Sequence, residues 1–548
     1  MKKIYKLAAL ALLSMPSFAQ TTFWTATNYR GAFAPAPTPM WTDTWTEWDP
    51  QNKTYPAPTQ TITSSITSNT HWTAGNVYLL QGQIYVKNNS TLTIDAGTII
   101  LGDKNSVGAG LFITTGSKID AQGTVNNPIV FTSNQPAGSR NIGDWGGVIL
   151  MGKASMNAAG DTAHIEGIAP IPETRYGGYT SPDDNDNSGT LKYVRIEFGG
   201  YVYQPNKEIN GLTFGAVGRG TTIDYVQVSF SNDDAFEWFG GTVECRHLVS
   251  YRNLDDDFDT DNGFSGRVQF GLSVRDPQIA DNPSVSTSEG FESDNDPSGT
   301  TSTPLTSAVF SNMTLIGPYR GTVGATVASG YRRGARIRRN SNEKIFNSIF
   351  MDHVNGVMID GTLCEANATS GALKFKHNIL AGNSTGHVTE VVSGSTFNAP
   401  AWFGASANDS LATTAGILIT PYNYTSPDYR PAGSSPALGG ADFSDPAFTG
   451  GFVGINEAVS NDISALAVLP NPASATSHIM ISFNKSAKAS LSMYDYTGKC
   501  IAKLATETEF AEGIHSMEFN TTAYSNGIYF ITLEVNGVRQ TQKVVINN

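Results

Sequence analysis

Asn232-Asp233-Asp234-Ala235-Phe236-Glu237 and Leu254-Asp255-Asp256-Asp257-Phe258-Asp259 are two copies of one pattern, offset by 22 residues. Gly241 then falls on Gly263, and a third copy, Gly290-Phe291-Glu292, follows after a longer excursion. A period of this size is the coil of a parallel β-helix, in which three short strands make one turn and stack on the next. It is too short for a propeller blade or a sandwich. The overlay predicts Phe236, Phe258 and Phe291 as an internal stack and Glu237, Asp259 and Glu292 as a column on the opposite face.

The surrounding chain fits. From about residue 66 to 455, β-branched runs such as Gln83–Val86, Gly97–Ile100, Leu111–Thr114 and Ile223–Val228 alternate with Gly, Asn and Asp. No useful helical periodicity separates them, which excludes a doubly wound α/β fold. A dozen coils at about 4.8 Å each predict a ladder on the order of 60 Å long. Residues 20–65 hold Trp24, Trp41, Trp45 and Trp48 and read as a cap over the end of the coil, with an aromatic sugar platform as the alternative. Residues 456–465 read as a linker, and 466–548 as a small antiparallel Ig-like β-sandwich. The fold class is therefore all-β, a right-handed parallel β-helix followed by that sandwich.

Composition narrows function. The 548 residues carry Lys+Arg 35 against Asp+Glu 48, a net charge of -13, with Gly 55 and only 15% charged residues. This is a β-rich, turn-rich composition, and its acidity argues against nucleic-acid binding. Lys2, Lys3 and Lys6 precede the apolar run Leu7–Leu13 and the small residues around Ser17 and Ala19. That is a secretory signal over residues 1–19, too short to span a bilayer, and no later segment reads as a membrane helix. Cys245, Cys364 and Cys500 have no zinc spacing and read as free thiols, although a Cys245–Cys364 bridge stays open.

Two resemblances add to this reading. Leu469-Pro470-Asn471-Pro472, Leu491 to Gly498, Asn526-Gly527-Ile528-Tyr529-Phe530 and Gln542 to Ile546 resemble the type A C-terminal sorting domain of the Bacteroidetes type IX secretion system. The resemblance implies export across the outer membrane, with secretion machinery and a sortase-like peptidase as partners, and a mature protein released or tethered at the surface. Gly138 to Gly147, Asp183 to Gly189, Asp233 to Gly241, Leu254 to Gly263 and Gly290 to Asp296 are similar to secreted Bacteroidetes β-helix proteins. That similarity runs from about Asn28 to Arg339 and implies fold and location, not an activity.

The acidic ladder is the strongest chemical feature. Carboxylates about 5 Å apart repel by roughly 3 kcal/mol at an effective dielectric near 20. Protonation, arginine pairing or a hard cation can relieve such a column, and Ca²⁺ suits clustered carboxylates. The candidate metal ligands are Asp233, Asp234, Glu237, Asp255, Asp257, Asp259, Asp261, Glu292 and Asp294. Asp257-x-Asp259-x-Asp261-Asn262-Gly263 misplaces the glycine of an EF-hand and has no closing Glu. Asp183, Asp184 and Asp186 form a weaker acidic turn. Arg332, Arg333, Arg336, Arg338 and Arg339 follow, either as salt-bridge partners of the ladder or as a groove for acidic sugars. The leading expectation is an adhesin-like or glycan-binding rod stiffened by calcium. The alternative is a calcium-dependent polysaccharide lyase or hydrolase, a lyase using Arg336 or Arg338 as base. Gly147 to Ala154 nearly matches a P-loop but ends in Ala where Ser or Thr should stand, and reads as a buried strand.

Overall fold

A computed structural model describes residues 23–204, 207–390, 394–449, 463–469, 471, 473, 475–483, 485–495, 499–535 and 538–547. The signal segment read at 1–19 lies outside the described residues. The chain divides into two units, Met1–Phe448 and Thr449–Asn548.

The first unit is a parallel β-helix. One side of the coil is a 10-stranded sheet. Its strands, in spatial and chain order, are Gln83–Val86, Gly110–Ile113, Gly147–Met151, Leu212–Gly215, Phe236–Phe239, Phe258–Asp261, Phe291–Ser293, Arg333–Arg338, Asn355–Asp360 and Val388–Glu390. All its pairings are parallel. At about 4.8 Å per rung this ladder is about 45 Å long, shorter than the repeat pattern predicts, because long excursions consume chain between rungs. The other sides of the coil merge into a 17-stranded sheet, because strands run round a corner and pair on both sides of it. Gly189–Glu197, for example, pairs with Lys118–Gln122 before its bend and with Ile129–Ser133 after it.

The bend has a specific backbone cause. Tyr193, Tyr225, His247, Phe270, Asn312, Asn347 and His377 all take positive φ, between 50° and 65°. Residues other than glycine rarely enter this region, and Asn does so most readily. Here successive side chains leave the corner in one column and stack. Tyr193 and Tyr225 have centroids 4.4 Å apart, Tyr225 and His247 4.2 Å, and His247 and Phe270 5.2 Å.

Residues 25–48 lie along this corner, across several coils, and not over the end of the helix. Trp45 is fully buried against Tyr193 and Tyr225, and Trp41 packs on Tyr225 and His247. Asn312 Nδ2 donates to Thr27 Oγ1 at 3.0 Å and to the carbonyls of Tyr29 and Gly31. Arg30 N donates to Ala437 O at 2.9 Å. The tryptophans read as an end cap or sugar platform are thus largely spent on lateral packing.

Inside the coil, Phe236, Phe258 and Phe291 are stacked in register and fully buried. Their centroid spacings are 5.8 and 5.1 Å. The adjacent inward column pairs Phe214 with Trp238, then turns polar at Thr260 and Ser293, which bond to Glu343 and Ser341. Among the described residues, three short α-helices interrupt the all-strand reading: Thr362–Ser370, Ala399–Gly404 and Pro446–Thr449. The first is closed by Gly371 in the left-handed region, a common helix stop. Cys245 and Cys364 are buried free thiols and Cys500 is exposed.

The second unit has two antiparallel sheets. Ile463–Leu469, Thr476–Phe483 and Gly513–Asn520 make a three-stranded sheet, and Cys500–Phe510, Ala487–Asp495, Gly527–Val535 and Val538–Ile546 a four-stranded one. Period-2 burial in Thr476–Phe483 sends Ile479, Ile481 and Phe483 into a core shared with Leu491, Leu533 and Val544. Its first strand begins inside the stretch read as a linker.

The Phe column sets a stability test. Phe258 is fully buried between two rings, so Phe258→Ala should cost about 3–5 kcal/mol, read as a lower denaturation midpoint by circular dichroism.

Candidate functional site

The outward face of the ten-stranded sheet carries one continuous column. In register it reads Tyr85, Phe112, Ile149, Thr213, Glu237, Asp259, Glu292, Arg336, Met358 and Thr389. Its chemistry changes along the stack from apolar to acidic to basic. The apolar end is roofed by Met156, Ile165 and Tyr176 from the excursion after Met151. Asp184 and Asp186 of the second acidic turn accept from Ser155 N and Lys153 N, clasping the base of that excursion. The acidic and basic rungs lie past the roof.

Asp234 and Asp256 do part of their work along the stack. Asp234 Oδ1 accepts from Asp256 N at 2.8 Å, and Asp256 Oδ1 from Glu289 N at 2.5 Å. Each aspartate therefore clamps the backbone of the next coil. The same turns gather three carboxylate triads: Asp233, Asp234 and Asp255; Asp234, Glu237 and Asp259; and Asp256, Asp259 and Glu292. In each, one oxygen per residue lies within 4.8 Å of the others.

Electrostatics make this arrangement costly. Burial, then the neighbouring carboxylates, push Asp234, Glu237, Asp255, Asp256 and Asp259 well above the usual carboxylate range. Burial and Asp294 push Asp261 to about 8. Burial also raises Glu292, to about 7, although Arg338 opposes it. Glu343, inside the coil, is raised to about 7 by burial.

A hard cation fits the triads. Two oxygens bound to one Ca²⁺ at about 2.3–2.6 Å can be no more than about 5 Å apart, a limit the triads meet. The donors are all carboxylates, with no His or Cys, which favours calcium over zinc. Asp255 Oδ1 is a buried oxygen with no hydrogen-bond partner among the described residues. Asp256 belongs to this set although the sequence-based ligand set omits it.

Other expected ligands are drawn elsewhere. Asp257 is fully buried and held by Ser250, Ser273 and Arg275, whose Nε lies 2.9 Å from its carboxylate. Arg275 also donates to the carbonyls of Asn253, Asp255 and Glu289, so this pair is an internal cross-link, not part of a triad. Asp294 is taken by Arg338 Nε at 2.7 Å and Arg339 Nη1 at 2.6 Å. Asp261 Oδ1 accepts from Asn262 N, and Asp261 joins no triad.

The arginines close the basic end. Arg336 lies 2.7 Å from Asp360 and 3.6 Å from Glu292, and Arg338 pairs with Glu292 as well as Asp294. Arg333 pairs with Glu289 at 2.6 Å. Burial works against the charge of Arg338, but Glu292 and Asp294 outweigh it and hold the guanidinium protonated more firmly than usual. A groove of about 340 Å³ runs beside Arg336, Arg338, Arg339 and Asn340 to the start of the helix Thr362–Ser370. Gly361 gives that helix no side-chain cap, so its first N–H groups lack that partner.

Comparison with known proteins now places the chain. The family described as pectate-lyase-like β-helix domain matches residues 64–415. The protein belongs to that family. A secretion-system C-terminal sorting domain matches residues 467–547. The second unit is thus a type IX sorting domain and the protein is exported across the outer membrane. Among the described residues no helix is long and apolar enough to cross a membrane. No curated protein matches. Among solved structures, full-length tailspike protein 2 from Escherichia coli O157:H7 bacteriophage CAB120 is similar at 10% identity and a TM-score of 0.19. The match covers 86% of this chain and 65% of the tailspike, so the chain spans less than two thirds of that protein.

The raised carboxyls fix the sign of a pH effect. An acid whose folded pKa lies above its unfolded value near 4 adds stability while protonated, and that gain is lost as pH rises through the folded value. For Asp261, Glu292 and Glu343 the loss runs from about 4 to about 7 or 8. Chelator-treated protein should melt several degrees higher near pH 5 than near pH 8 by scanning calorimetry, and a flat profile would contradict these shifts.

Proposed function

We propose that this exported β-helix protein binds an acidic polysaccharide on the outward face of its ten-stranded ladder, with Ca²⁺ as cofactor. The observation that carries the reading is the column Glu237–Asp259–Glu292–Arg336, in which crowded carboxylates run directly into a paired-arginine groove. Residues of the triads would hold the cation: Asp233, Asp234, Asp255, Asp256, Glu237, Asp259 and Glu292. A bound cation would neutralise their repulsion and offer a positive partner to a uronate. Arg336, Arg338 and Arg339, with the helix start at Thr362, supply donors suited to a carboxylate. Regular spacing of coils presents an extended row of side chains along which a polymer can lie, which suits adhesion.

Binding is favoured over elimination. A lyase base must be deprotonated, whereas Arg336 and Arg338 are both ion-paired and Arg338 is held charged. The sorting unit is handled by type IX secretion machinery, and a sortase-like peptidase removes it from a mature protein left free or tethered at the cell surface.

Two measurements test this. Calcium at about a hundred times its Kd should stabilise the fold by about 2.7 kcal/mol, seen as a higher melting temperature that chelator reverses and Asp259→Asn removes. Polygalacturonate should bind in calcium, and Arg336→Ala should weaken it about tenfold in titration calorimetry, a single charged contact being worth about 1.5 kcal/mol or more. Absence of a calcium shift would discard the metal site. An ultraviolet-absorbing unsaturated uronate among the products would restore the lyase.

A further inference from the structure

A second groove, of about 560 Å³, lies on the other side of the helix Thr362–Ser370. It runs between that helix and the short helix Ala399–Gly404 and touches none of the acidic triads. Trp402 and Phe397 line it with ring centroids 5.9 Å apart, and both pack on the core of the coil while keeping part of their surface exposed. Between turns otherwise built from small polar residues, they offer an apolar surface with a polar rim of Thr369, Ser395 and Asn398.

Glu365 also lines this groove and is 6% exposed. Its Oε2 accepts from Ser395 Oγ at 2.8 Å. Its Oε1 is buried and has no hydrogen-bond partner among the described residues. A buried acceptor left unmatched costs about 1–3 kcal/mol and calls for an explanation in a native fold. A ligand that donates hydrogen bonds would supply one if the Glu365 side chain turned toward the groove it lines.

The lining defines the ligand class. Among the described residues it holds a carboxylate and no Lys, Arg or His, so an anionic sugar is disfavoured here, in contrast to the arginine groove across the helix. Hydroxyl and amide groups around the rings disfavour a purely apolar ligand. A pyranose ring has an apolar C–H face and an edge of hydroxyl donors, which matches an indole beside a carboxylate. We propose that this groove binds an uncharged pyranose unit, with Trp402 as its platform and Glu365 as acceptor for its hydroxyls. The proposal goes beyond the acidic-polysaccharide reading and stands on separate residues.

The test uses the full chain and neutral hexasaccharides of glucose, xylose, mannose and galactose as probes, followed by tryptophan fluorescence and titration calorimetry. At least one should bind, equally well with calcium or chelator. Trp402→Ala and the isosteric Glu365→Gln should each weaken it at least tenfold, while Trp402→Phe retains most of the affinity. Melting curves establish that each variant is folded, and Glu365→Gln keeps the test open if Trp402→Ala is not. Failure of all four sugars to bind, or wild-type affinity in folded Glu365→Gln and Trp402→Ala, would overturn the proposal. Arg336→Ala and Asp259→Asn should leave neutral-sugar binding intact, and a wild-type protein that binds a neutral sugar but no polygalacturonate would count against the other site only.

Discussion

Parallel stacking places the same position of every coil about 4.8 Å above the last. Each column must therefore tolerate its own repetition. Phenylalanines satisfy this by stacking, as in Phe236, Phe258 and Phe291. Aromatic rings at the corner do the same, and their contacts offset the cost of positive φ at Tyr193, Tyr225, His247 and Phe270. Carboxylates cannot satisfy it unaided. The acidic rungs are the place where the geometry that builds the fold works against the residues it aligns.

The molecule meets that conflict differently along one column. At the basic end, Arg336, Arg338 and Arg339 neutralise Glu292 and Asp294 directly. Toward Asp234 and Glu237 the carboxylates are crowded and their protonated forms are favoured. Salt bridging and unpaired carboxylate crowding, which a sequence presents as rival readings of an acidic ladder, thus follow one another along the column and meet at Glu292. Asp257, which looks like its neighbours in sequence, lies outside this column because its coil turns it inward to a salt bridge with Arg275.

Much of this was legible beforehand. The 22-residue offset between Phe236 and Phe258 is a register, and the ladder pairs Glu237 with Asp259 as that register requires. The sorting domain was readable because its motifs are local. The excursions were not legible, because no period marks where the chain leaves the stack. For the same reason the ladder is shorter than the repeat implied. The helix Thr362–Ser370 escaped notice because TLCEANATS carries no apolar stripe. Glu365 and Trp402 come together only through that helix and the next. The direction of the N-terminal tryptophans also depends on tertiary contacts. Trp-rich composition says that a surface is covered, not which one.

The lateral course of residues 25–48 has a consequence for the order in which the chain can be assembled. A bare stack of coils is held by nearest neighbours, and it can grow from one end as chain is delivered. This one is also closed by its earliest residues against some of its latest. Thr25 is bonded to Gln269, Gly31 to Asn347, and Arg30 to Pro436, Ala437 and Gly439. Contacts of such sequence separation form slowly, because the loop they close must first be ordered. A polypeptide arriving N-terminus first can therefore complete the bonds of Arg30 only when residue 439 is present. The lateral seam thus closes only after nearly all of the coil has been made, which ties the first described residues of the unit to some of its last.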